Sequence, residues 1–296
     1  MAIPESQLET WSHQGAIIKS RDAYASVKRI LEATDTPYAS KSFEVFLQGS
    51  YGNDTNIWAD SDVDIVIRLD SIMRSDLSKL SPEEQRAYNA AYPDATYRFS
   101  DFKLGVVAQL KEEFGNSNID VGNKSVKIKG TSNRMSSDVV VCFQYRRYKR
   151  FLTIDNQEYV PGIIFPAGSG IEIINYPKLH SERCTAKHKN TDKYFKPTVR
   201  ILKNMRGWMV ENGLLEKECA PSYFIEGLLY NAPDDRFGHT YEDTICNCFN
   251  WLLEADWSTF VCPNRQFFLF GKRTEQWQEE KGRKFLDALV KMWKDW

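Results

Sequence analysis

Two aspartates separated by a single residue, Asp62 and Asp64, carry the most informative chemistry in this sequence. In a strand alternate side chains share a face, so these carboxylates project together while Val63, Ile65 and Ile67 turn to a packed side. No cation adjoins the pair in sequence, and neighbouring carboxylates repel. A divalent cation relieves that repulsion, and Mg²⁺ favours carboxylate oxygens plus substrate phosphates over a full protein cage. Two such ions about 3.5–4 Å apart clamp the attacking and leaving oxygens of an in-line displacement.

An Asp-x-Asp pair alone is as readily a solvated strand edge. Gly49-Ser50, separated from Asp62 by eleven residues and at the end of an apolar strand pattern, changes the balance. Glycine lets the backbone approach a triphosphate closely, and the Ser50 hydroxyl and nearby N–H groups can donate to its oxygens. A third acid is needed to complete the metal-bridging set and to deprotonate or orient the attacking hydroxyl. Asp138 precedes VVVCF, a run of buried-strand type, and so can stand at a strand edge beside the first pair. Without the upstream motif it reads as a simple strand start.

The elements that must position these residues are legible in outline. Apolar spacing at Leu8, Trp11, Tyr24, Val27, Ile30 and Leu31 predicts a helix from Pro4/Ser6 towards Ala33. Strands are expected at 43–47, 63–69, 125–129 and 138–145, with a polar loop over 49–61 and a helix over 101–114. Beyond about Pro177 the segments PTVRILKNMRGWMVENG, PSYFIEGLLYN and EKGRKFLDALVKMWKDW favour helix, with Pro197 in a first turn and Gly213 after a last one. Irregular loops are expected around 233–240 and 263–275. A mixed α/β lobe thus precedes a helical lobe, with domains at 1–180 and 181–296.

The chain has 296 residues, and its 39 Lys and Arg nearly balance 40 Asp and Glu. That argues against a protein whose main task is coating nucleic acid. Six scattered cysteines with no Cys-x-x-Cys pair suit a reducing cytosol better than a disulfide scaffold. The N-terminus has no signal-peptide pattern, and no stretch approaches the roughly 20 apolar residues of a membrane span. A cytoplasmic protein is expected.

These residues resemble the polymerase-β-like nucleotidyltransferase superfamily, and more closely the bacterial CD-NTases, the cGAS/DncV-like nucleotidyltransferases. QGSYGNDTNIWADSDVDIVI looks like the CD-NTase signature almost throughout; HKNTDKYFKPTVRILKNM resembles the family's spine region and APSYFIEGLLYN its base-stacking helix. The resemblance covers about residues 43–232. It departs at Asp192-Lys193, where many relatives have a glycine pair. It implies an α/β (α+β) palm with a C-terminal helical lobe and the active site in the cleft between them. It further implies two Mg²⁺ ions, replaceable by Mn²⁺, on Asp62, Asp64 and Asp138, and a nucleotide held by Gln48, Gly49, Ser50, Lys203, Ser222 and Tyr223, with Tyr223 stacking on the base.

The residues add support of their own. Lys196, Arg200 and Lys203 fall at i, i+4 and i+7, one basic stripe able to balance a triphosphate, while Val199, Leu202 and Met205 can face the core. Tyr223 follows Pro221-Ser222 at a helix start, where N–H groups meet an anion.

The implied reaction joins ribonucleoside triphosphates (ATP, GTP, UTP or CTP) into a cyclic di- or trinucleotide messenger, releasing pyrophosphate without a template. The messenger would activate a separate effector in antiphage (CBASS) signalling. The alternatives are a nucleotidyltransferase making linear oligonucleotides or modifying tRNA or protein, and a non-catalytic nucleotide-binding module. Other constellations weigh less. His180, Cys184 and His188 have helical spacing, and His239, Cys246, Cys248 and Cys262 form a loose set, but zinc prefers tighter pairs and four ligands. Arg146-Arg147-Tyr148-Lys149-Arg150 reads as a solvated strand end as well as a nucleic-acid contact, and Asn175 is a candidate contact to a base edge.

Overall fold

The computed structural model describes residues 3–59, 62–273 and 275–296. In chain order the elements are α1 (Glu5–Ser12), α2 (Ile17–Leu31), β1 (Phe43–Leu47), the single turn α3 (Gly49–Gly52), β2 (Asp62–Asp76), α4 (Pro82–Ala91), α5 (Phe99–Phe114), β3 (Ile119–Val121), β4 (Val126–Ile128), β5 (Ser136–Thr153), β6 (Asn156–Pro166) and β7 (Glu172–Asn175). Then follow α6 (Pro177–Asn190), α7 (Phe195–Glu211), α8 (Ser222–Asn231), α9 (Tyr241–Glu254) and α10 (Glu279–Asp295). This is an α+β chain. It forms two compact units, one of Met1–Ile17, Gly49–Ser61 and Lys178–Trp296, the other of Ile18–Gln48 and Asp62–Pro177. In this grouping α1 and the segment that starts at Gly49 fall with the C-terminal helices.

The unit containing Asp62–Pro177 is built on a seven-stranded sheet in the order β1-β2-β5-β4-β3, extended by β6 on β5 and β7 on β6. β2 and β5 run parallel, whereas β1, β4 and β6 meet their neighbours antiparallel. Val63, Ile65, Ile67 and Leu69 are wholly buried, as is Val66 on the opposite face, where it clusters with Val140, Cys142, Ile163 and Phe165. The sheet is thus covered on both faces at its centre, which explains the near-continuous apolar runs DIVI and VVVC. β5 is longer than the expected 138–145, because its second half pairs β6 while Tyr148 and Phe151 pack with Leu80, Tyr88 and Tyr92 at α4. Ser81 and Glu84 close a capping box at the start of α4.

The helical unit has one large core. Val199, Leu202 and Met205 of α7 are fully buried in it, as expected from their spacing. Ile225 and Leu228 of α8, Ile245 and Leu252 of α9, and Phe285 and Leu289 of α10 complete it. Trp257 and Trp277 are buried with their indole N–H groups spent on the carbonyls of Leu252 and Cys219. Residues 233–240 and the described part of 263–275 hold only short turns and bridges; Thr274 lies outside the described residues.

The long first helix is corrected to two. It breaks after Ser12 because Gly15 donates its N–H to the Asn56 carbonyl at 3.2 Å and lies against the Ile57 backbone, where a β-carbon would meet Ile57 C and O at 2.4 Å. Only glycine admits that approach. No helix among the described residues is long and apolar enough to cross a membrane.

Candidate active site

The parallel register of β2 and β5 places Asp62 beside Ser136 and Asp64 beside Asp138. Residues two apart share a face, and registered neighbours do too, so the three acids lie on one face at the start of the strands. The even-numbered face then runs into the buried apolar cluster of Val66, Val140 and Cys142. Lys127 lies opposite Asp138 on β4 and reaches Asp62 Oδ2 at 3.2 Å, while Ser136 Oγ donates to Asp62 Oδ1. Burial raises the Asp138 pKa, and the Asp62 charge adds to this, against the opposing pull of Lys127 and a Ser125 hydrogen bond. The Lys127 side chain is 45% exposed, so it is a weakly held counter-charge. Three carboxylates on one face offer hard oxygen donors of the kind that suits Mg²⁺ or Mn²⁺, by the chemistry of the donor set.

The segment after β1 has its own scaffold in the helical unit. Gly49 sits at φ +65°, a conformation glycine adopts without strain, and opens the turn α3. Asn53 and Thr55 donate their N–H groups to the carbonyls of Gly49 and Ser50 at 3.0 and 2.9 Å. The expected loop over 49–61 is therefore a helical turn followed by irregular chain, with Asp60 and Ser61 outside the described residues. Gln48 keeps its side-chain carbonyl oxygen buried with no hydrogen-bond partner among the described residues.

The basic stripe is not the open face that its spacing suggested. Lys196, Arg200 and Lys203 are 5%, 9% and 0% exposed, and each grips this segment instead. Lys196 Nζ meets Asp54 Oδ2 at 2.9 Å, Arg200 donates to the carbonyls of Asp54 and Ser12, and Lys203 Nζ donates to the Thr55 carbonyl at 2.9 Å. Buried cations need such partners, and the 53–56 backbone supplies them. From α8, Glu226 accepts Asn53 Nδ2 at 2.9 Å and the Thr55 hydroxyl. Glu226 is a residue that spacing arguments missed. Its signal was an acid inside the apolar run FIEGLL, which must find partners if buried.

Ser222 is half-buried and its Oγ accepts from Arg206 at 3.3 Å. Tyr223 is half-buried, with its ring 5.0 Å from the His180 ring at 30° and its hydroxyl accepting from Asn264 at 3.2 Å. Asn175 closes β7 and accepts from the Tyr176 N–H at 2.8 Å. In the 146–150 run Arg146 lies over the Tyr159 ring, Arg147 meets Asp76, and Lys149 meets Glu158. That describes a paired strand surface rather than a free basic stripe.

His180, Cys184 and Glu226 bring ligand atoms within 4.8 Å of one another. Both Glu226 oxygens already accept hydrogen bonds, burial raises the Cys184 thiol well above its ordinary pKa, and three donors fall short of the four of structural zinc. At 192–193, where many relatives have a glycine pair, the chain takes a left-handed backbone. Asp192 and Lys193 take φ +46° and +69°, and Lys193 N–H closes onto the His188 carbonyl at 2.8 Å.

Residues 182–294 match the family described as the cGAS/DncV-like nucleotidyltransferase C-terminal helical domain. Over 297 residues, all of this chain and 99% of the relative, the chain is 42% identical to a cyclic UMP-AMP synthase of Rhodothermus marinus. It is 38% identical over 302 residues, covering 100% of both chains, to the cyclic nucleotide synthase CdnE01 of Staphylococcus haemolyticus. The solved structure of the Rhodothermus marinus CdnE c-UMP-AMP synthase with Apcpp and Upnpp superposes with a TM-score of 0.90, covering 99% of this chain and 97% of that one. With similarity along the whole length and three acids on one face of the sheet, the chain belongs to the bacterial CD-NTase family of cGAS/DncV-like nucleotidyltransferases, enzymes that synthesise cyclic di- and oligonucleotides.

Proposed function

We propose that this enzyme joins ribonucleoside triphosphates into a cyclic dinucleotide, with ATP and UTP as the substrates its 42% identity to a cyclic UMP-AMP synthase favours. The observation that carries the chemistry is the strand register that sets Asp138 beside Asp64 on the face of Asp62. In this reading Asp62, Asp64 and Asp138 hold Mg²⁺, or Mn²⁺ in its place. Ions held there would lower the pKa of the attacking hydroxyl and neutralise charge on the phosphates. A ribose hydroxyl of one nucleotide attacks the α-phosphorus of the other. Its O–P bond forms as the bond to the β-phosphate oxygen breaks, pyrophosphate leaves, and Asp138 takes up the hydroxyl proton. A second transfer of the same kind closes the ring.

Gln48, Gly49, Ser50 and Ser222 hold the triphosphate, and Tyr223 stacks on a base. Lys203 adds positive charge while holding the Thr55 carbonyl. Residues 1–180 act as the nucleotidyltransferase core and 181–296 as the helical domain. The enzyme works in the cytoplasm without a template, and its product activates a separate effector in antiphage defence.

The test is incubation of purified protein with all four ribonucleoside triphosphates and Mg²⁺ or Mn²⁺, with phosphatase-resistant products identified by mass spectrometry. A cyclic dinucleotide containing AMP and UMP is expected, falling about a hundredfold or more in Asp138→Asn protein. A linear product, or none without a macromolecular acceptor, would sink the proposal.

A further inference from the structure

We infer that His180 and Glu226 are positioning residues, which set the plane of the Tyr223 ring and tie it to the segment that follows Gly49-Ser50. The inference rests on the reading of Tyr223 as a base platform and goes beyond it, since neither His180 nor Glu226 reaches the nucleotide in that reading.

Glu226 is 2% exposed in an otherwise apolar stretch of α8. A carboxylate there is tolerable only with donors, and it has three: Asn53 Nδ2, the Thr55 hydroxyl and His180 Nε2, the last at 2.6 Å. The charge of Lys203 also favours its ionised form. His180 is 3% exposed, and its Nδ1 meets no hydrogen-bond partner among the described residues. One bond, Nε2 to Glu226, therefore orients the imidazole. The imidazole lies 5.0 Å from the Tyr223 ring at an interplanar angle of 30°. Offset aromatic neighbours at this distance hold each other's tilt.

Thr55 and Asn53 thus connect through one carboxylate and one imidazole to the face of Tyr223. A platform that is already flat when the base arrives costs little ordering on binding. Removing the imidazole leaves a gap behind Tyr223 and frees its tilt. Replacing Glu226 by Gln keeps the shape but removes the charge that holds both the imidazole and the segment.

The experiment measures calorimetric binding of Mg²⁺ with α,β-methylene ATP and α,β-methylene UTP to the full chain, alongside thermal unfolding of every variant. Tyr223→Ala should weaken at least one analogue by about fivefold to a hundredfold. His180→Ala should weaken the same analogue about three- to tenfold, yet add nothing in a Tyr223→Ala background, since residues that act through one contact are non-additive. His180→Phe keeps an aromatic slab and should restore the affinity; it also serves if His180→Ala does not fold. Glu226→Gln should raise KM for that nucleotide more than it lowers kcat.

If Tyr223→Ala binds both analogues like the unaltered protein, the base-platform reading fails and takes this inference with it. If Tyr223→Ala weakens binding but folded His180→Ala does not, or the two losses multiply independently, the positioning role alone is overturned. One equivalent of zinc in the purified protein, lost in Cys184→Ala, would make the cluster a metal centre and also overturn it.

Discussion

Charged side chains in this molecule do two kinds of work that composition does not distinguish. Asp62, Asp64 and Asp138 crowd negative charge at the start of β2 and β5, with the partly exposed Lys127 as their counter-charge. Lys196, Arg200 and Lys203 are spent on the carbonyls and carboxylate of the 53–56 segment. His188 lies among the same cations. Its pKa is held down to about 4, chiefly by burial and then by the charges of Lys196 and Arg200. The unfolded chain protonates this imidazole near pH 6.5, so unfolding takes up a proton between the two values. Its contribution to stability is complete above pH 6.5 and is lost as pH falls towards 4. Urea midpoints at pH 7 and pH 5 should therefore separate less in His188→Gln than in the unaltered protein, and an equal separation would contradict this assignment.

Among the elements, the α6–α7 connection stores strain. Asp192 and Lys193 both occupy left-handed backbone, which costs an L-residue about 1–2 kcal/mol each. Glycine removes that cost but loses about 0.5–1 kcal/mol through its greater freedom in the unfolded chain. The double replacement Asp192→Gly/Lys193→Gly should therefore stabilise the fold by about 1 kcal/mol, seen as a higher unfolding temperature. A lower one would show that these side chains contribute more than their backbone strain removes. The same scale explains why α1 and α2 are separate. The apolar spacing of Leu8, Trp11, Tyr24 and Val27 continues through the break, and only the approach of Gly15 to Ile57 interrupts it.

For the molecule as a whole, a ligand that binds the folded chain alone must stabilise it. At a free concentration one hundred times its Kd, a nucleotide adds about 2.7 kcal/mol. Mg²⁺ with α,β-methylene ATP should raise the unfolding temperature by several degrees, and EDTA should abolish product formation. Asp62→Ala/Asp64→Ala should lose the Mg²⁺-dependent part of that increase. Retention of the full increase would mean that the acids do not bind the metal–nucleotide complex.

Local chemistry and period were readable from the chain itself. Asp62 and Asp64 share a face because a strand alternates, and VVVC buries because a sheet covered on both sides admits only apolar runs. The helices after Pro177 follow from their periodicity. Three things required tertiary structure. The pairing of Asp138 with Asp64 depends on a parallel register between strands more than seventy residues apart, which no local pattern encodes. The basic stripe on α7 had the spacing of a solvated face, and it is buried because the 53–56 carbonyls return to it from far along the chain. Glu226 was visible only as an acid in an apolar run. Its partners Asn53, Thr55 and His180 are brought to it by folding, since hydrogen bonds are local in space and not in sequence.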